Sequence, residues 1–347
     1  MVPVWYAIVT AMLTAWAVLD GFDFGVGIVQ RLVAKSAAER GLLVSAIAPV
    51  WDGNEVWLVA SGGVFVFAFP RAYAVALSGL YLPLTMVLWL LVFRGIAIEL
   101  RSQLTHPLWR AGWDGVFALA SAALAFVAGV ALGNVVRGVP IDGAGWFQLD
   151  LFSLQTGGGH REGVIDAFTA LVGLLAMAAL AAHGSSYLIW KTEGEVRARS
   201  VVAARRAWLA SIVLAAAATG ATAWVRPSMF VTLGHRPWLW PFPAIAAASP
   251  IVAFTALKRG RELPAFAASS AFVACLLLST AGVLYPVLLP STRGLRNDLD
   301  AYAAASGEHG LALGLAWWGP ALTLAVLYFV NLFRSTRGKV TAGGDAH

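Results

Sequence analysis

Long apolar runs recur along the whole of this 347-residue chain and leave it little choice of fold. A run of about 20 apolar residues, coiled as a helix, matches the roughly 30 Å hydrocarbon layer of a membrane. Nine such runs stand out, at roughly 4–28, 50–70, 74–100, 113–136, 164–190, 206–225, 239–257, 264–286 and 311–333. They are long and continuous rather than short and alternating, which excludes a barrel. The reading is an all-α polytopic membrane protein with nine transmembrane helices. Composition agrees: only 12% of residues are charged, against about 25% in a soluble domain.

The first run carries no basic leader and no separate cleavage site, so it reads as a spanning helix. Lys and Arg fall between the runs, so the net charge of +6 orients the chain in its membrane and is no nucleic-acid signal. The even-numbered connections hold only Arg71, Arg137, Arg161, Arg226, Arg236, Arg293 and Arg296 of the 24 basic residues. The rest lie in the odd-numbered connections, in the third span (Arg94) and in the tail. That bias puts the N-terminus outside and the C-terminus in the cytoplasm.

No fixed-period repeat is visible. Spans one to four (1–136) and five to eight (164–286) are two candidate four-helix bundles. External connections occupy 137–163, with its Gly157-Gly158-Gly159 turn, and 287–310. A ninth, peripheral helix covers 311–335, and 336–347 is a cytoplasmic tail. Pro241, Pro243 and Pro250 predict a kinked or broken seventh span.

Ionisable groups at membrane depth are costly, about 2.5–3.5 kcal/mol each on insertion scales, and mark candidate sites. Asp20 and Asp23 sit three apart on one face of the first span, beside Gly21 and Gly25, whose spacing suits close helix contact. Asp52 and Glu55 repeat the pattern at the start of the second span, in PVWDGNEVWL. Arg94 lies inside the third span and is placed to neutralise one of these acids.

Each has a plainer explanation. Asp52 suits the first turn of a helix, and Asp20 and Asp23 could serve only to join helices. Glu99 and Arg101 could snorkel to the membrane edge. Asp114 reads as a helix cap. Together, the two acid pairs and the embedded arginine predict a polar path entering from the cytoplasmic side.

Other chemistry finds few residues. Cys275 is the single cysteine, which excludes an internal disulfide, a cysteine metal cluster and a c-type haem attachment. A bis-axial haem needs two ligands at membrane depth. His183 alone among the histidines lies within a span, and it reads as a hydrogen-bonded core residue rather than a haem ligand. No phosphate-binding glycine loop, zinc spacing or nucleophile triad appears.

In order and spacing, GFDFGVG (21–27), PVWDGNEVWL (49–58), GG (62–63), FP (69–70), YA (73–74) and FRG (93–95) resemble subunit II of cytochrome bd-type quinol oxidases. GNVVRGVP (133–140), HGSSYL with KTEGE (183–195) and YPVLLPS (285–291) agree more loosely. The resemblance covers nearly the whole chain. It implies a heterodimer with a homologous subunit I, which holds haem b and haem d and the quinol-binding loop, and a complex that oxidises quinol and reduces O₂ to water. It implies that this chain binds no haem itself, stabilises its partner and contributes proton and oxygen access. A structural quinone or membrane lipid is a further candidate ligand.

By the same resemblance, Asp52 matches the aspartate associated with a proton route, and Asp20, Asp23 and Arg94 match family positions. Glutamine replaces Glu55 or His183 in some members. A competing reading of the same acids is a proton-coupled secondary transporter. Another is a purely structural scaffold.

Overall fold

The computed structural model describes residues 1–152 and 163–340, so the predicted Gly157-Gly158-Gly159 turn and the end of the tail lie outside the described residues. Its helices are α1 (Val2–Val33), α2 (Ala37–Ile47), α3 (Trp51–Ala68), α4 (Pro70–Gly79), α5 (Tyr81–Leu100), α6 (Pro107–Arg137) and α7 (Ala167–Lys191), followed by α8 (Gly194–Val225), α9 (Ser228–His235), α10 (Pro241–Lys258), α11 (Glu262–Leu284), α12 (Ala301–Ala304) and α13 (Glu308–Ser335). Four short strands lie in the connections: β1 (Asp150–Phe152) pairs in parallel with β2 (Gly163–Ile165), and β3 (Val287–Leu289) pairs antiparallel with β4 (Leu299–Asp300). Among the described residues, eight helices are long and apolar enough to cross a membrane, and the bent pair α3–α4 makes up to nine. Helices suit that setting because each satisfies its own backbone where no water can.

The expected break falls elsewhere. The seventh span, α10, is one continuous helix with Pro250 inside it. Pro241 and Pro243 sit in its first turn, where no intrahelical partner awaits an N–H. The sharp bend is instead between α3 and α4, where the chain is bent by 120°. Pro70 opens α4, and Phe69 before it leaves the helical region at φ −133°, ψ 60°. A residue preceding proline is pushed out of helical geometry, and that local rule made the turn. The predicted third span therefore begins at Tyr81 rather than 74, because α4 turns away first. The fourth and sixth begin earlier than predicted, at Pro107 and Gly194.

Helices α1 and α7 cross at the centre of the molecule, and each also meets α6 and α11. Their crossing depends on glycine. A Cβ on Gly25 would lie 1.9 Å from the Leu180 carbonyl oxygen, and one on Gly184 would lie 2.3 Å from the carbonyl carbon of Gly25. Two backbones in direct contact is the small-residue packing of membrane helices. Further adjacent pairs are α1–α3, α5–α6, α7–α8 and α10–α11. Helix α13 is peripheral, with Leu311 its one buried residue, and it meets α3 where Phe329 packs on Trp57.

At the end of the molecule that carries α2, short ties lock the helices. Ser36 and Glu39 cap α2 reciprocally, and Glu39 also reaches Arg199 on α8. The Lys35 amide first, then Arg199, holds the Glu39 carboxyl below the usual range despite some desolvation. The tail returns across this end, where the Val340 amide donates to the Lys191 carbonyl at 2.8 Å.

Gly184→Val should abolish accumulation of folded protein, since overpacking costs about 1–3 kcal/mol even where neighbours can move. Gly62→Ala, with open space around it, should leave the yield unchanged; size-exclusion of solubilised membranes reads both. Glu39→Gln should lower thermal stability by at most about 1 kcal/mol, because the pair is partly solvated. A depressed carboxylate stabilises above its unfolded pKa and loses that contribution as pH falls through its folded value. The difference between wild type and Glu39→Gln should therefore shrink as pH falls below the ordinary glutamate range, in melting curves taken against pH.

Candidate functional site

Asp20 and Asp23 project from one face of α1 toward α3 and α5, and both are fully buried. Arg94, one turn and a half from the end of α5, is fully buried as well. Its two terminal nitrogens take different acids. Nη1 bonds Asp20 Oδ1, and Nη2 donates to Glu55 Oε2 on α3 at 2.8 Å. The second Asp20 oxygen accepts from Trp16 Nε1 at 3.0 Å. Phe24 lies under the guanidinium, 4.7 Å from ring centre to Cζ, a favourable stacking for a desolvated cation.

Asp23 is held separately. Asn54 Nδ2 donates to its Oδ2 at 2.9 Å and to the Leu19 carbonyl at 3.1 Å. Asp23 Oδ1, Asn54 Oδ1 and Arg94 Nε have no hydrogen-bond partner among the described residues. Buried polar atoms of that kind are places for water. One guanidinium thus faces three carboxyl groups in a low-dielectric interior. Such a group has the donors, acceptors and spare charge capacity to hold and pass a proton.

Not every predicted site residue joins this cluster. Asp52 stands on the exposed surface of α3, while Glu55, three residues on, turns inward to Arg94. Glu99 is exposed near the end of α5.

Asp114, read as a cap, lies well inside α6, whose first turn is capped by His106 instead. The earlier helix start is the physical reason. Its carboxylate takes Arg40 Nε at 2.7 Å and Arg101 Nε at 2.5 Å. Arg101 therefore does not snorkel: it is buried, and Nη2 also donates to the Ala37 carbonyl at 3.0 Å. This second ion cluster pins α2, α5 and α6 together. Gln30 joins α1 to it, donating Nε2 to the Asp114 carbonyl at 3.3 Å.

Both nitrogens of His183 are engaged. Nε2 donates to the Val18 carbonyl at 2.9 Å, and Nδ1 lies 2.8 Å from the Ser269 hydroxyl. The ring also stacks on Phe266 at 5.1 Å. Neither nitrogen is free to ligate a haem iron, so the residue does not fit that group. Among the described residues no three of His, Cys, Asp and Glu converge as a metal site.

Sequence reasoning passed over Trp16, Gln30, Arg40 and Asn54. Neutral donors cost less in a membrane than charges and so draw less notice. Asn54 did carry a signal, lying on α3 within the same short motif as Asp52 and Glu55. Arg40 lies in a connection, where an arginine looks like a topology signal.

Residues 1–336 match the family model for cytochrome bd terminal oxidase subunit II. The chain is 29% identical to the cytochrome bd-I ubiquinol oxidase subunit 2 of Escherichia coli K12, over 97% of this chain and 94% of that one. It is 28% identical to the cytochrome bd ubiquinol oxidase subunit 2 of Bacillus subtilis 168, over 88% and 87%. Its fold resembles a chain of the bd oxidase from Geobacillus thermodenitrificans, with a TM-score of 0.76, 18% identity and coverage of 96% and 97%. The chain belongs to the cytochrome bd terminal oxidase subunit II family.

Proposed function

We propose that this chain is the haem-free subunit of a membrane quinol oxidase that stabilises a haem-bearing subunit I and hands it protons for the reduction of O₂. Membership of the family makes it a component of a quinol-oxidising complex, a bacterial membrane protein with a partner subunit. The transporter reading finds no support among the relatives.

The buried assembly of Asp20, Asp23, Glu55 and Arg94 carries the proton-handling part of this reading. Helix joining alone needs only a matched pair, and buried charges are a poor source of stability. Here three carboxyl groups meet one guanidinium, with unpartnered oxygens left for water. Such an excess of acids over bases suits proton relay rather than mere adhesion. Asp52, exposed on this chain, is the group placed to exchange protons across a surface that a partner would cover. Glu99 lies on the rim, and Asp114 with its two arginines braces the cytoplasmic end.

The distribution of basic residues supports an outer N-terminus and a cytoplasmic C-terminus. The contacts α1–α3, α5–α6, α7–α8 and α10–α11 fit two four-helix bundles, spanning 1–136 and 164–286, with α13 outside them. Connections 137–163 and 287–310 then face outward, and the tail from 336 lies within the cell. An apolar cavity of about 470 Å³ among α6–α11, bordered by Phe168, Thr219, Met229 and Phe272, has the character to seat a structural lipid or quinone.

Two experiments on the assembled complex test the reading. Asp20→Asn, Asp23→Asn and Asp52→Asn should leave the haem spectrum intact while quinol-driven oxygen consumption falls by about tenfold or more, the scale of losing an acid–base group. Full turnover in all three, with assembly unharmed, would remove the proton role. Arg94→Leu should strip the partner from Asp20 and Glu55 at a cost of about 3–5 kcal/mol. It should appear as loss of the complex on mild heating in detergent, with Arg94→Lys intermediate.

A further inference from the structure

Two further buried polar side chains, Gln30 and Ser121, neither predicted as part of the site, lie between the Asp114 ion cluster and Asp23. On α1, Asp23, Gly27 and Gln30 fall at i, i+4 and i+7 and share one face. On α6, Asp114, Phe117 and Ser121 fall at i, i+3 and i+7 and do likewise. The two helices run antiparallel and meet along these faces. A Cβ on Gly27 would lie 2.2 Å from Ser121 Oγ, while Gln30 bonds the Asp114 carbonyl. Glycine at position 27 thus lets the Ser121 hydroxyl reach the α1 backbone, between the Asp23 and Gln30 side chains.

Three oxygens along this line lack a hydrogen-bond partner among the described residues although their side chains are fully buried: Asp23 Oδ1, Ser121 Oγ and Gln30 Oε1. Gln30 is fixed the right way round. Its amide nitrogen is spent on the Asp114 carbonyl, so its oxygen is left as the acceptor. Leaving a buried acceptor unmet costs roughly 1–3 kcal/mol, and water is the usual partner of such atoms. Along α1, Asp23 and Gln30 are about 10 Å apart. Ser121 packs at the level of Gly27, which divides that rise into two steps of about 5 Å, the scale of two oxygens bridged by one water.

We infer that Gln30 and Ser121 hold a short file of water between α1 and α6 that delivers protons from the α2 end of the molecule to Asp23. The inference rests on the proton-handling role proposed for the acid cluster and adds its supply route. Each step breaks one O–H bond and makes another. Ser121 Oγ accepts a proton from the water on the Gln30 side and releases its own to the water on the Asp23 side, and the transfer ends on Asp23 Oδ1. No electron moves. Gln30 accepts a hydrogen bond and orients the first water; it is a positioning residue, as is Asp114 behind it. The Phe117 ring, 3.3 Å from the Cβ position of Gly27, borders the gap with an apolar wall.

The test uses the complete complex with its haem-bearing partner. Thr and Val have the same shape, so Ser121→Thr and Ser121→Val crowd Gly27 equally and differ by the hydroxyl. Flash-induced voltage transients of the complex in liposomes read proton uptake directly. Ser121→Val should slow that phase by about tenfold relative to Ser121→Thr, and Gln30→Leu should slow it likewise, with haem spectra unchanged. A high-resolution density map of the wild-type complex should show ordered water bonded to Gln30 Oε1, Ser121 Oγ and Asp23 Oδ1. Equal rates for Ser121→Thr and Ser121→Val, or no water at these oxygens, overturns the file. If Asp23→Asn still slows uptake in that case, the acid cluster keeps its role and only the route is wrong. If Asp23→Asn is also without effect, the proton role of the cluster falls and the route with it.

Discussion

A single buried guanidinium holds the first half of this molecule to its own acids. Arg94 on α5 reaches Asp20 on α1 with one nitrogen and Glu55 on α3 with the other, so three helices share one charge cluster. In a membrane these helices gain little from apolar contact with one another, because lipid is equally apolar. Directional bonds and backbone fit must choose the partners. A charged group with two carboxylates in reach has few acceptable arrangements, and that requirement sets the relative rotation of α1, α3 and α5. The planar fork of arginine suits the task; a lysine would offer a point charge.

Backbone fit sets the rest. Gly25 of α1 lies directly on Gly184 of α7, and Gly129 of α6 packs on Gly173 of α7. These crossings leave no room for a methyl group, so α7 is seated against both α1 and α6. His183, next to Gly184, donates to the Val18 carbonyl and adds a polar tie at the same crossing. The scaffold and the acid cluster are therefore consequences of one another. The face of α1 that carries Asp20 and Asp23 can turn toward Arg94 because its glycine face is taken by α7.

Much of this was legible from the chain. The runs of apolar residues marked the spans, and Asp20, Asp23, Glu55 and Arg94 stood out because each is costly in hydrocarbon. The spacing of Gly21 and Gly25 announced a close helix contact. What was misread shares a cause. Pro241, Pro243 and Pro250 suggested a kinked or broken helix; the helix is unbroken, and two of them fall in a first turn, where proline is harmless. Pro70, a single proline, made the real bend. Asp114 looked like a cap because α6 starts earlier than its apolar run. Arg101 looked like a surface residue because its partner is on a different helix.

By itself the sequence determined that the chain lives in a membrane, roughly where its apolar helices run, and which residues are too polar to be there without a purpose. Those properties follow from the transfer cost of each side chain and from its spacing along one helix, and both are local. Which acid meets which base was decided by tertiary structure alone. Asp23 with Asn54, Arg94 between Asp20 and Glu55, and Asp114 between Arg40 and Arg101 all join residues of different helices. Such pairings depend on how far each helix is rotated and shifted against its neighbours, and periodicity within a segment carries no information about that.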